Sequence, residues 1–134
     1  FNLGNKHKQN DEYHLRLKKA FTKFYNVSKM SDEEISSLSK DVKVHIAVDL
    51  IAHTGGHEIR FGIFMKKCAP IQINFLGYPG TSASDKIDYI IADRIVIPEK
   101  NKKFFSEKII YLPHSYQPSE KDRTLSEKNC YDRF

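Results

Sequence analysis

Hydrophobic positions in the first 40 residues follow a helical period. Between Asn10 and Tyr25 the apolar residues recur at the i, i+3, i+4 spacing of one helix face, with lysines opposite. They are Leu17, Ala20, Phe21, Phe24 and Tyr25. Further on, Ser31 and Glu34 have the spacing of a capping box. The pattern predicts an amphipathic helix over residues 10–25 and a second helix that begins at Ser31 and ends near Lys40.

From Val42 the period changes to that of strands. Alternating apolar residues run to Leu50, and residues 46–51 are apolar on both faces except at Asp49, as in a strand buried within a parallel sheet. Further strands are predicted in "PIQINFLG", "DYIIAD" and "KIIYLP", and a short helix in "HEIRFGIFMKKC". Because strand and helix signals alternate, the sequence predicts an α/β domain with a largely parallel sheet.

Composition and charge narrow the class of protein only slightly. A chain of 134 residues with 40% hydrophobic residues suits one compact domain. The absence of a long apolar run or a leader favours a cytoplasmic protein with no membrane partner. Cys68 and Cys130 are predicted to be free thiols. Lysines crowd the N-terminal part of a chain of net charge +5, but no nucleic-acid-binding signature accompanies them, so a nucleic-acid partner is not favoured.

Two glycine-containing turns are the candidates for a binding site. "HTGGH" follows the first predicted strand and "GYPGTS" the second, and the carboxyl ends of neighbouring parallel strands are where α/β folds bind ligands. Glycine lets the backbone approach a ligand, and Thr81 and Ser82 offer hydroxyls to a phosphate or a sugar. The alternative is a pair of tight turns that only reverse the chain.

Other polar residues fit structural roles better than catalytic ones. Asp49 and Asp93 each end a strand, where a carboxylate contacts a ligand hydroxyl or, more commonly, caps the next helix. His45 is predicted to lie inside a strand as a packed or edge residue. The i, i+4 spacing of His53 and His57 is that of zinc sites on helices, but the glycines between them argue against a helix, so we expect no metal site.

Two longer stretches resemble a known enzyme family. "CAPIQINFLGYPGTSASDKIDYIIADRIVIP" and "FFSEKIIYLPHSYQPS" resemble the catalytic region of the O-GlcNAc transferase family, of the bacterial and SPINDLY-like type. Upstream, "VDLIAHT" is similar to the family's strand that ends in a Gly-His-Thr or Gly-Tyr-Thr turn, with Ala52 in place of the glycine. Cys68 stands where the family usually carries proline. The resemblance covers about residues 11–123.

The resemblance implies one lobe of a two-lobed, B-type glycosyltransferase with Rossmann-like lobes. Such enzymes transfer N-acetylglucosamine from UDP-GlcNAc to Ser or Thr of proteins, with inversion and with no metal or other cofactor. Residues 1–115 would be a partial first lobe, and residues 116–134 an extended connection toward a second lobe. That second lobe and preceding tetratricopeptide repeats would belong to a longer protein, so the isolated chain is expected to be inactive.

The resemblance also implies a set of site residues. Asp11 corresponds to an aspartate discussed as a catalytic group in the family. The pocket for the sugar and the acceptor would be lined by His53, Thr54, Leu76, Gly77, Tyr78, Pro79, Gly80 and Thr81. A different class of function is a stand-alone module that binds Ser/Thr-rich peptides without catalysis.

Overall fold

The computed structural model describes residues 12–54 and 59–119, which form an α/β unit around one four-stranded sheet. In chain order the elements are helix α1 (Glu12–Ala20), helix α2 (Asp32–Asp41), strand β1 (Ile46–Asp49), helix α3 (Gly62–Met65), strand β2 (Ile71–Asn74), strand β3 (Tyr89–Ala92), a 3₁₀ helix (Glu99–Phe104) and strand β4 (Lys108–Tyr111). The strands are all parallel and lie in the order β1-β2-β3-β4. The predicted α/β class and parallel sheet are therefore confirmed.

Helix α2 has the boundaries that its sequence predicts. The Ser31 hydroxyl accepts a hydrogen bond from the Glu34 amide at 3.2 Å, and the Glu34 carboxylate accepts one from the Ser31 amide at 2.7 Å. At the other end Lys43 has a left-handed φ of 57°, and its amide donates to the Lys40 carbonyl at 2.9 Å. This is the helix ending that usually carries glycine at the left-handed position.

Helix α1 is shorter than predicted. It ends at Ala20, so the prediction of a helix continuing to Tyr25 is wrong. Leu17 and Phe21 are exposed, and the Phe24 ring returns to contact His14 edge-on, with ring centroids 5.4 Å apart. Because the predicted apolar face has little to pack against in the described residues, the turn back to His14 replaces further helix. No helix among the described residues is long and apolar enough to cross a membrane.

The two faces of the sheet differ in burial. Ile90 and Ala92 point into one buried cluster, and Ala47 packs against another. The opposite face carries large apolar side chains that are exposed in the part of the chain described, namely Ile46 (53%), Val48 (44%), Ile71 (38%) and Ile110 (39%). The prediction that β1 is buried on both faces is therefore wrong for the described residues, since nothing among them covers this face. His45 precedes β1 and is exposed, so its predicted place inside the strand is also wrong.

The register staggers the sheet at its carboxyl edge. Ile73 of β2 is paired with Tyr89, the first residue of β3, and Tyr89 is paired with Lys108, the first residue of β4. Asp49 and Asn74, the last residues of β1 and β2, are paired with one another. Strands β3 and β4 thus extend two residues beyond β1 and β2.

Gln72 of β2 is fully buried, and its carboxamide makes all four of its hydrogen bonds. The amide nitrogen donates to the carbonyls of Phe64 at 2.9 Å and Lys86 at 2.7 Å. The amide oxygen accepts from the Cys68 amide at 2.9 Å and from the Cys68 thiol at 3.1 Å. One side chain therefore joins β2 to the end of α3 and to the segment that returns toward β3.

Replacing Gln72 by leucine should destabilise the fold by about 3 kcal/mol, because the buried Cys68 amide loses its partner and the Phe64 and Lys86 carbonyls each lose one of their two hydrogen bonds. Urea unfolding of the intact protein measures the change. The matched control is Gln117→Leu at an exposed position, which should change the unfolding free energy by less than about 0.5 kcal/mol. Equal effects of the two substitutions would contradict the role of Gln72.

Candidate functional site

The turn after β1 is organised by the carboxylate of Asp49. This residue is 7% exposed, and one of its oxygens accepts hydrogen bonds from the amides of Ile51 at 3.0 Å and Ala52 at 2.9 Å. Ala52 has a left-handed φ of 49°, at the position where the family resemblance places glycine. The Thr54 hydroxyl donates to the Ile51 carbonyl at 2.7 Å. Asp49 therefore caps this turn, whereas the commoner of its two predicted roles was to cap the next helix.

The turn after β2 starts with a tight reversal. The Gly77 amide donates to the Phe75 carbonyl at 3.1 Å, and Leu76 between them has a φ of 75°. These are the marks of a γ-turn of the positive-φ type, a strained conformation that persists only where its surroundings hold it. The side-chain nitrogen Nδ2 of Asn74 helps to hold this turn by donating a hydrogen bond to the Tyr78 carbonyl at 3.1 Å.

The two turns lie in direct contact, as the sequence predicts for neighbouring strands. A Cβ atom on Gly77 would lie 2.5 Å from the Leu50 carbonyl oxygen and 2.8 Å from the Ile51 Cα atom. The His53 ring is edge-on to the Tyr78 ring at 5.5 Å, and its Nε2 atom lies 3.4 Å from the Ser82 carbonyl oxygen. The glycine is thus required by the close approach of one turn to the other within the protein.

A buried glutamate holds the far end of the second turn. Glu107, which is 4% exposed, precedes β4 and accepts hydrogen bonds from the Ser82 amide at 2.6 Å and from the Ser82 hydroxyl. Its other oxygen accepts from the hydroxyls of Thr81 at 2.8 Å and Ser106 at 3.1 Å. Burial raises the pKa of the Glu107 carboxyl, but the bonds from Ser82 and Thr81 outweigh it and hold the pKa below its ordinary value of 4.5. The hydroxyls predicted to meet a phosphate or a sugar are engaged by this carboxylate.

Asp93 plays the corresponding part after β3. One of its oxygens accepts from the amides of Ile95 at 2.9 Å and Val96 at 2.8 Å, and the other accepts from the Tyr116 amide at 2.9 Å. The amides of Val96 and Tyr116 lower the pKa of the Asp93 carboxyl more than its burial raises it. The chain at residue 116 is thereby bonded to the end of β3.

The structure brings most of the predicted site residues together. His53, Thr54, Gly77, Tyr78 and Pro79 are exposed on the paired turns. Leu76, Gly80 and Thr81 are half-buried in the same segment. Asp11 and His57 lie outside the described residues. Within residues 12–54 and 59–119, no group of three or more metal-binding side chains is found.

Sequence reasoning missed Glu107 and Asn74 as parts of this site. Asn74 is 1% exposed, and its side-chain oxygen has no hydrogen-bond partner in the described structure. The available signal was a polar side chain at a strand position otherwise occupied by apolar ones. Glu107 has no such signal, because a single acid before a strand is equally typical of an exposed residue.

Comparisons with known proteins identify the class that this fold and these turns define, the glycosyltransferases. The chain belongs to Glycosyl transferase family 41, which matches residues 4–127. It is 36% identical over 107 residues to the probable UDP-N-acetylglucosamine-peptide N-acetylglucosaminyltransferase SEC of Arabidopsis thaliana, a match that covers 80% of this chain and 11% of the relative. It is 40% identical over 73 residues to the UDP-N-acetylglucosamine-peptide N-acetylglucosaminyltransferase of Caenorhabditis elegans, a match that covers 54% of this chain and 6% of the relative.

A solved structure agrees with these relatives. A mutant of the O-GlcNAc transferase of Thermobaculum terrenum superposes with a TM-score of 0.77 at 25% identity, over 84% of this chain and 22% of that one. The family resemblance seen in the sequence is therefore confirmed. The chain spans about a tenth of the Arabidopsis relative and less than a quarter of the bacterial structure.

Gly77→Ala should destabilise the paired turns by about 2 kcal/mol, since the added methyl group meets backbone atoms of Leu50 and Ile51. Thermal unfolding of the intact protein measures this. Gly80→Ala is the matched control: its methyl group would meet only the end of the Tyr78 ring, which is partly exposed and can move. An equal loss in both variants would show that the Leu50 contact is not what requires glycine.

Glu107 should contribute stability that disappears in acid. Because its folded pKa lies below 4.5, its contribution is present above that pH and is lost as the pH falls through the folded pKa. Glu107→Gln should have a lower thermal midpoint than wild type at pH 7. Below pH 4.5 the midpoint of the variant should fall less steeply than that of wild type, so the two plots of midpoint against pH converge in acid. Glu99→Gln, at an exposed glutamate, is the control. Parallel curves for wild type and Glu107→Gln would rule out this linkage.

Proposed function

We propose that this chain is part of the catalytic region of an enzyme that transfers N-acetylglucosamine from UDP-GlcNAc to Ser or Thr of proteins, with inversion. The observation that carries the proposal is the pair of interlocked turns at the carboxyl ends of β1 and β2, the edge where α/β folds bind ligands. The names of the Arabidopsis and Caenorhabditis relatives describe N-acetylglucosaminyl transfer from UDP-N-acetylglucosamine to peptide for those proteins.

The chemistry requires a fixed surface at this edge. A hydroxyl is a weak nucleophile, so the site must hold it in line with the anomeric carbon and stabilise the departing diphosphate. Turns held by Asp49, Asn74 and Glu107 provide a surface that does not need to rearrange when substrate arrives. We assign the reaction no metal or other cofactor, the donor UDP-GlcNAc being a substrate.

The roles of the site residues follow from their exposure. His53, Thr54, Gly77, Tyr78 and Pro79 are exposed and would contact the sugar and the acceptor segment. Leu76 and Gly80 would shape the wall behind them. The Thr81 hydroxyl, bonded to Glu107, would hold the turn in place. Asp11 is proposed as the catalytic group on the family resemblance alone.

The rest of the enzyme would lie outside these residues. Since the chain spans 22% of the bacterial O-GlcNAc transferase structure, we propose that a second lobe supplies the uridine and diphosphate contacts and that tetratricopeptide repeats are present in the full-length, cytoplasmic protein. Residues 1–115 would then form a partial first lobe and residues 116–134 the connection to the second.

Activity is tested with UDP-GlcNAc and a Ser/Thr-rich peptide. The full-length protein should glycosylate the peptide, whereas the 134-residue chain alone should not. In the full-length protein, His53→Ala should lower kcat/KM by about tenfold to a hundredfold, because the ring braces Tyr78 at the site. His45→Ala, an exposed histidine at the opposite end of β1, is the matched control and should retain activity.

The same experiment separates the two classes of function. Peptide binding without any transfer by the full-length protein would contradict the transferase and favour the peptide-binding module. Transfer that is unaffected by His53→Ala would leave the activity in place and exclude this surface as its site.

A further inference from the structure

A cavity lies at the opposite end of the sheet from the candidate site. It has a volume of about 470 Å³ and is formed where the chain enters β1 and β2. Its lining combines four basic side chains with an apolar floor, and consists of Lys40, Lys43, Val44, His45, Lys67, Cys68, Ala69 and Pro70. A cavity of this size suits a small organic ligand.

The charges around this cavity are unbalanced. Lys67 is paired with Asp88, its ammonium lying 2.7 Å from the carboxylate. Lys40 donates to the Lys66 carbonyl at 3.1 Å, and neither Lys40 nor Lys43 forms an ion pair within the described residues. Among residues 12–54 and 59–119, three lysines and one carboxylate leave two positive charges uncompensated. Within the same ranges Lys40 keeps two unused N–H donors and Lys43 keeps three.

Two of the lysines at this cavity have a backbone conformation that lowers the stability of the fold relative to glycine. Lys43 follows α2 and Lys67 follows α3, and both have left-handed φ values, of 57° and 50°. Glycine is the residue that adopts this conformation without strain at a helix end. Two helices that end beside one cavity thus both carry a lysine where glycine would be more stable. What lysine adds there is a cation at the cavity.

We propose that this cavity binds the phosphate group of a small phosphate monoester. A phosphate monoester carries a charge close to −2 at neutral pH, which matches the two uncompensated lysines. Its oxygens accept hydrogen bonds from the unused N–H donors of Lys40 and Lys43. The apolar floor of Val44, Ala69 and Pro70 receives the organic part of the ligand. The site is separate from the paired turns and does not depend on the proposed transferase activity.

Isothermal titration of the intact protein with inorganic phosphate and with phenyl phosphate tests the assignment. Both probes should bind saturably, phenyl phosphate more tightly, and higher salt should weaken both. Lys43→Gly should weaken each affinity about tenfold, because it removes one cation with its charge-assisted hydrogen bonds. Its thermal midpoint should stay unchanged or rise, because glycine suits a φ of 57°. If Lys43→Gly loses affinity for the probes but keeps its thermal midpoint, the loss is due to the missing lysine and not to unfolding of the variant.

Lys100→Ala is the matched control, an exposed lysine in the 3₁₀ helix between β3 and β4, away from the β1 edge of the sheet. Its affinity for both probes should equal that of the unsubstituted protein. No saturable binding, an undiminished affinity in Lys43→Gly, or an equal loss in Lys100→Ala would overturn the proposal. Equal affinity for the two probes would overturn the assignment of an organic ester.

Discussion

The carboxamide of Gln72 is the constraint on which the rest of this α/β unit depends. An unmade hydrogen bond in a buried place costs more than a made one contributes, so a buried side chain with four hydrogen bonds, two of them to buried groups of Cys68, strongly restricts the arrangement of its neighbours. Those neighbours are the end of α3 and the segment that reaches β3 through Lys86. The segment between β2 and β3 is therefore held at Lys86 by a side chain of β2 itself.

Three buried carboxylates extend the same principle to the edge of the sheet. Asp49 and Asp93 accept backbone N–H groups, and Glu107 accepts one backbone N–H and three hydroxyls, so each holds an irregular segment in a defined turn. The backbone N–H groups that these carboxylates accept are therefore already paired, namely those of Ile51, Ala52, Ser82, Ile95, Val96 and Tyr116. If the paired turns bind substrate as proposed, these held segments would need little further ordering on binding.

The sequence predicted the parts of this structure that depend on local chemistry. The capping box of Ser31 and Glu34, the four strands and the contact between the two turns follow from spacing and period, and all are present. Predictions failed where burial depends on distant residues. Helix α1 stops at Ala20 and β1 is exposed on one face, because period alone does not say what packs against an apolar side chain. Gly77 was predicted from the resemblance to line a substrate pocket, and the neighbour that the structure shows at its Cα is the carbonyl of Leu50.

The hydrogen bond between the Asp93 carboxylate and the amide of Tyr116 fixes the position of the backbone at residue 116. The chain beyond residue 116 departs from a point held to the end of β3, at the same edge of the sheet as the paired turns. The backbone at residue 116 therefore cannot move away from the end of β3 without breaking a hydrogen bond to a carboxylate, which is stronger than one to a neutral acceptor.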